Sequence, residues 1–230
     1  MTSSGQQPWR TPEQAAQARR EERAKRRRRR IALLAAAACS LVLLCSLGAW
    51  GIWSLIARSR IDPGSIAIPS WIDQELIDLD GDARDGTPIN KVRDIAIHYV
   101  GNPDTTAMAN RNYFNQPGVE VSSHFIVGLE GEIIQCVPLG EKSAATNQRN
   151  SDTISIEVCH PDETGKFNDQ TYASLIQLCA WLCHELNLDE DNLIRHYDVT
   201  GKLCPLYYVE HEDAWRQLKE DVGRQLGEME

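Results

Sequence analysis

Four stretches of the chain carry side chains that could do chemistry together. His98 lies in DIAIHYV (94–100), His124 in SSHFIVG (122–128), Glu157 in TISIEVC (153–159), and His196 and Cys204 in RHYDVTGKLCP (195–205). Singly each is weak, since a strand histidine is more often a hydrogen-bonded core residue than a ligand, and a lone cysteine more often a small buried apolar side chain. Together they match a catalytic zinc site, which takes three nitrogen or sulfur ligands and leaves one position open. His98, His196 and Cys204 could supply that set. Alternation in TISIEVC puts Ile154, Ile156 and Val158 on one face and Glu157 on the other, where apolar packing has no use for a carboxylate. Cys179, Cys183 and His184 also have metal-like spacing, but both cysteines fall on the apolar face of a helix and are expected in the core.

The elements that must position these groups are legible from periodicity. Runs 94–100, 122–128, 133–138 and 153–159 are β-branched or aromatic and of strand length, the middle two joined across Glu130 and Gly131. Residues 105–114 have helical spacing. Tyr172, Leu175, Ile176, Cys179, Leu182, Cys183 and Leu186 mark a strongly amphipathic helix, and Trp215, Leu218, Val222 and Leu226 a last one. The expected fold class is α/β, a central mixed β-sheet flanked by helices and preceded by one transmembrane helix.

On four blocks, IAIHYVGNPDTTAMANRNYF, SSHFIVGLEGEIIQCVPLGE, NSDTISIEVCHP and RHYDVTGKLCP, the sequence resembles the zinc-dependent N-acetylmuramoyl-L-alanine amidases of type 2, relatives of phage amidases and peptidoglycan recognition proteins. The resemblance runs from about residue 94 to 222. It implies Zn²⁺ as cofactor, with His98, His196 and Cys204 as ligands, Glu157 as the catalytic glutamate and Lys202 as a second catalytic group. It also implies peptidoglycan as substrate, cut between N-acetylmuramic acid and L-alanine. One departure is local: where the phage lysozyme branch has a tyrosine before the second-strand histidine, this chain has Ser123 before His124. His124 is a candidate substrate-binding residue, or one that bonds a loop carbonyl. Asp198 could orient His196 or serve only as a turn or cap residue.

Charge divides the chain into unlike pieces. Residues 1–30 hold ten basic and three acidic side chains, and residues 31–57 hold no charge. Residues 58–230 then carry 14 basic against 30 acidic side chains, a balance that argues against nucleic-acid binding by the folded part. The 27 residues of 31–57 exceed the roughly 20 that a spanning helix needs, and are about twice a signal-peptide core. Five consecutive arginines at 26–30 place the N-terminus in the cytoplasm, and Trp50 and Trp53 suit the outer headgroup region. The expected organisation is a disordered basic cytoplasmic tail (1–30), a single-pass signal anchor in the cell membrane (31–57), and an extracellular tether (58–90). That tether begins to dock around residues 71–77. A catalytic domain (91–226) facing the cell wall follows. Outside the cell a Cys136–Cys159 pairing is permitted but not required.

Two classes of function compete: a membrane-tethered wall hydrolase, and a non-catalytic receptor or scaffold for wall fragments on the same fold. Cys204 discriminates them, because the resemblance implies that non-catalytic relatives lose the ligand cysteine. A secreted lysis enzyme conflicts with the anchor.

Overall fold

The computed structural model describes residues 61–79 and 81–229, together with helical residues between 20 and 32. The chain divides into two units, Met1–Ser59 and Arg60–Glu230. Most of the apolar run 31–57, on which the membrane anchor was expected, lies outside the described residues. Among the described residues no helix is long and apolar enough to cross a membrane.

The second unit is built on six strands: β1 (Asp73–Gln74), β2 (Asp94–Tyr99), β3 (Phe125–Val127), β4 (Ile133–Gln135), β5 (Thr153–Val158) and β6 (Leu193–Arg195). They form one sheet in the order β1-β4-β3-β5-β2-β6. Only β3 and β4 run antiparallel, as the Glu130-Gly131 turn required, and Gly131 adopts a φ of 83° there. The other pairings are parallel. Parallel strands covered on both faces read as nearly continuous apolar runs, which is why Ile95, Ala96 and Ile97 are all fully buried in β2.

The two faces are packed differently. Ile95, Ile97, Phe125, Val127, Ile154, Ile156 and Val158 join the larger core beneath α2 (Asp169–Leu186) and α5 (Glu212–Gly227). On α2 Leu175, Leu178, Cys179, Leu182 and Cys183 point inward, so both cysteines are core residues as their helical spacing implied. Asn168 caps its start by accepting from Thr171 N at 2.9 Å, and Asn187 ends it in the left-handed region, φ 53°. The opposite face carries Ile126, Ile134 and Cys136 under Ala107 and Phe114 of α1 (Ala107–Phe114). Cys136 and Cys159 are both buried there as free thiols.

The structure differs from the expectations in three ways. β6 and the short helices α3 (His196–Thr200) and α4 (Leu206–Glu210) were not foreseen, since three to five residues give periodicity too little length to register. The strands at 122–128 and 133–138 are only three residues long. Of the segment 58–90, the described residues 61–79 and 81–90 dock over a longer stretch than the 71–77 expected. Pro63 is buried, Ile66 and Ile68 pack on the core, Trp71 meets Trp181 edge-on at 5.9 Å, and β1 pairs with β4. Ile72, Ile77, Ala83 and Ile89 are buried as well. Apolar residues spaced irregularly through a Pro-rich stretch carry no local signature of docking. Their burial is a tertiary outcome.

Candidate metal centre and catalytic cleft

One row across the sheet assembles most of the site. Ile134 is the register partner of Ile126, Ile126 of Glu157, and Glu157 of His98. In the next strand Ile97 pairs with Arg195, so His196 emerges from the end of β6 beside His98. Both histidines and Glu157 therefore stand at or near the carboxyl ends of parallel strands, where open α/β sheets leave a crevice. Cys204 arrives from the loop after α3, which Gly201 ends in the left-handed region at φ 77°. Tyr197 N donates to Cys204 O at 3.0 Å, folding that loop back onto the helix.

His98, His196 and Cys204 are all buried, and their ligand atoms lie within 4.8 Å of one another. Cys204 Sγ is 3.8 Å from His98 Nδ1, and the imidazole centroids are 4.7 Å apart. Burial, then His196 and Lys202, pushes the His98 imidazolium down to about 3, and burial followed by Lys202 lowers His196. Burial and the nearby Glu157 push the Cys204 thiol up to about 12, against the opposing pull of the Tyr99 backbone and Lys202. Two neutral imidazoles and one sulfur thus converge, each histidine with its second ring nitrogen held by oxygen. His98 Nε2 is 3.2 Å from Thr146 Oγ1 and His196 Nε2 is 2.7 Å from Asn147 Oδ1. Metal-ligating histidines are held in this way, and the N, N, S donor set fits Zn²⁺.

Glu157 is half-buried as a residue, yet its Oε2 is shut from solvent without a hydrogen-bond partner among the described residues. Burial raises its carboxyl to about 8, with Lys202 pulling the other way. Lys202 is exposed and lines the same cleft, a space of about 1370 Å³ bounded also by His98, His196, Glu157, Asn110 and Tyr113. The arrangement can hold a cation, move a proton through a carboxylate, and set a second positive charge beside the reacting groups.

His124 needs correcting as a substrate-binding candidate. It is fully buried and does not line the cleft. Its Nε2 donates to the Glu141 carbonyl at 2.8 Å, and its Nδ1 accepts from Ser155 N at 3.0 Å. Burial pushes it down to about 4, so it is a neutral structural histidine holding a loop carbonyl. Ser123, equally buried, donates to Phe125 O. Asp198 does not orient His196 but accepts from Arg195, at the backbone N (2.8 Å) and at the guanidinium. The residues that sequence reasoning missed are Thr146 and Asn147. They lie in a polar loop with no periodicity, and only the approach of that loop to two strand ends reveals them.

Residues 88–207 match the family model described as N-acetylmuramoyl-L-alanine amidase, Amidase_2. The chain belongs to that family. It is similar to the N-acetylmuramoyl-L-alanine amidase CwlL of Bacillus licheniformis, 27% identical over 161 residues, covering 63% of this chain and 44% of that protein. It is also similar to the N-acetylmuramoyl-L-alanine amidase BlyA of Bacillus subtilis strain 168, 29% identical over 164 residues, covering 62% and 44% respectively. The match thus spans less than half the length of these amidase relatives. Among solved structures, the catalytic domain of XlyA superposes with a TM-score of 0.58 at 28% identity, covering 66% of this chain and 99% of that one. The α/β sheet flanked by helices is accordingly an amidase-family fold.

Proposed function

We propose that this chain is a membrane-anchored peptidoglycan hydrolase that cleaves the amide joining the lactyl group of N-acetylmuramic acid to the L-alanine of the stem peptide. The observation that carries the reading is Glu157, with a buried oxygen that has no partner among the described residues, lining an open cleft with His98 and His196, which group with Cys204 as a candidate metal set. Family membership and the names of the relatives support the choice of bond.

His98, His196 and Cys204 would hold Zn²⁺, which when bound would supply Lewis acidity and a water acidified toward a pKa of about 7. Glu157 is the proton carrier: its carboxylate accepts the proton of the attacking water and passes it to the departing alanine amine, so that one group serves both halves of the reaction. Its burial favours the protonated form and so the second transfer, while Lys202 favours the ionised form needed for the first. The ammonium of Lys202 offsets negative charge developing on the carbonyl oxygen. Asn102, Thr105 and Asn110 give the cleft wall neutral polar groups suited to peptide amides and sugar hydroxyls.

Anchoring rests on the uncharged residues 31–57 behind five arginines, an arrangement that supports an N-terminus inside and the folded unit facing the wall. Two experiments test the reading. Digestion of purified peptidoglycan by the zinc-loaded protein should release new alanine amino termini and lactyl carboxylates by mass spectrometry. Wall-fragment binding without release would leave only a receptor. Protease added to wall-stripped cells should degrade the C-terminal unit and spare an N-terminal tag, and protection of the C-terminus would remove both the orientation and the wall substrate.

A further inference from the structure

Two adjacent residues of one loop each take the outer nitrogen of a different candidate ligand. His98 Nε2 lies 3.2 Å from Thr146 Oγ1, and His196 Nε2 lies 2.7 Å from Asn147 Oδ1. Nδ1 is then the nitrogen of each ring not held by this loop, and that of His98 lies 3.8 Å from Cys204 Sγ. We propose that Asn147, seconded by Thr146, is a positioning residue that fixes the tautomer and rotation of His196 and His98 and thereby sets how tightly the trio holds zinc. The proposal rests on the metal-site reading above.

The chemistry follows from the neutral imidazole, which carries one proton and can place it on either nitrogen. An oxygen acceptor at Nε2 favours the Nε2–H tautomer and leaves the Nδ1 lone pair free for a metal. An amide oxygen can only accept, so Asn147 dictates the tautomer. A hydroxyl can accept or donate, so Thr146 at its longer distance constrains ring rotation more than proton position.

The loop is built to hold this geometry. Thr146 is fully buried, and its N donates to Asn150 Oδ1 at 2.6 Å. Asn147 sits in the left-handed region at φ 54°, a conformation that asparagine tolerates better than most side chains and glycine adopts freely. Arg149 bonds Asp152 at 2.7 Å and pairs with Asp94, the first residue of the strand that carries His98. Gln148 Nε2 donates at 3.2 Å to Val199 O in the helix that His196 begins. Upstream, the docked segment grips the same loop through Ile89 N to Gly140 O at 2.8 Å and Lys142 N to Thr87 O at 2.7 Å. The loop is thus clamped to both ligand-bearing elements, and a small displacement would free both rings at once.

The left-handed backbone provides the control. Asn147→Gly keeps the backbone conformation at no steric cost and deletes only the acceptor, while Asn147→Asp keeps an acceptor at the same place. Zinc affinity of the full-length protein, measured by competition with a chromophoric chelator, should weaken about 10- to 100-fold in Asn147→Gly and by much less in Asn147→Asp. Thr146→Val should weaken it less than Asn147→Gly does, and Thr146→Ser should restore it. Circular dichroism and thermal melting of the metal-free variants establish that each is folded. A folded Asn147→Gly with wild-type zinc affinity overturns the proposal, as does equal loss in the glycine and aspartate variants. Zinc binding by wild type without amide cleavage would instead sink the hydrolase reading and leave the affinity comparison standing, whereas wild type that takes up no zinc overturns both.

Discussion

Replacing Glu157 by glutamine should make the metal-free protein more stable and the loaded protein a far slower hydrolase, and the gain in stability should grow with pH. The folded state holds the Glu157 proton to about 8 against an ordinary value of 4.5, because burial penalises the carboxylate more than Lys202 favours it. The unfolded chain therefore releases this proton first. Stability contributed by the neutral acid is fully present below pH 4.5 and is lost as pH rises through 8. Linkage puts the loss at about 1 kcal/mol by pH 5 and about 3 kcal/mol by pH 7, a slope close to 1.4 kcal/mol per unit between them. Glutamine fills the same space and never ionises, so its advantage over wild type should follow that curve. Urea denaturation of both proteins in chelator at pH 5, 6, 7 and 8 measures the difference directly, with His98, His196 and Cys204 common to the two. Zinc should narrow the gap, since a cation beside the carboxylate favours its ionised form, while amide cleavage by the glutamine variant falls by roughly 10²- to 10⁴-fold with zinc content unchanged. A gap that does not change with pH, or a wild type more stable at pH 7, would refute the assignment of Glu157 as a buried proton carrier.

Cys204→Ser should lose or weaken zinc and lose activity with it, whereas Lys202→Met should keep zinc and fall on the order of 10² to 10³ in rate, readable by metal analysis beside amine release. Arg84 binds both oxygens of Glu141, at 2.7 and 2.8 Å, and the Ile77 carbonyl at 2.7 Å, with side chains only 10% and 22% exposed. Arg84→Met should therefore cost about 2–4 kcal/mol and roughly 5–15 °C in Tm, and adding Glu141→Gln should cost less than the two changes summed; an additive double variant would count against the pair. His124, held neutral to about 4 against an ordinary 6.5, contributes stability that is present above pH 6.5 and fades as pH falls through 4, about 3 kcal/mol in all. A His124→Gln variant should lack this component of acid sensitivity, and an unchanged acid profile on denaturant titration would show that His124 takes up its proton without cost.

Much of this protein was legible along the chain. The alternation of TISIEVC set Glu157 against its apolar neighbours, and the 3,4 spacing from Tyr172 to Leu186 marked α2 and consigned Cys179 and Cys183 to the core. The types of His98, His196 and Cys204 already described a zinc-suited set, the resemblance added Glu157 and Lys202, and the structure brings the three ligand candidates together beside the cleft that Glu157 and Lys202 line. Such readings work because periodicity and side-chain chemistry are local properties. What the sequence withheld depends on which segments meet. Register alone sets His98 beside Glu157, and the end of β6 delivers His196 next to them. His124, which alternation sets in a strand much as it does His98, lies just before β3 and turns out to be a sealed structural residue because the Glu141 carbonyl and Ser155 satisfy both of its nitrogens. Asp198 is taken by Arg195 before it can reach His196. Described residues between 63 and 89 pack on the folded unit, with β1 added at the sheet edge, and Thr146 and Asn147 acquire a role only because their loop lies against two strand ends. A hydrogen-bond partner contributed by a distant loop leaves no periodic trace in its own stretch of chain, so tertiary structure alone could assign it.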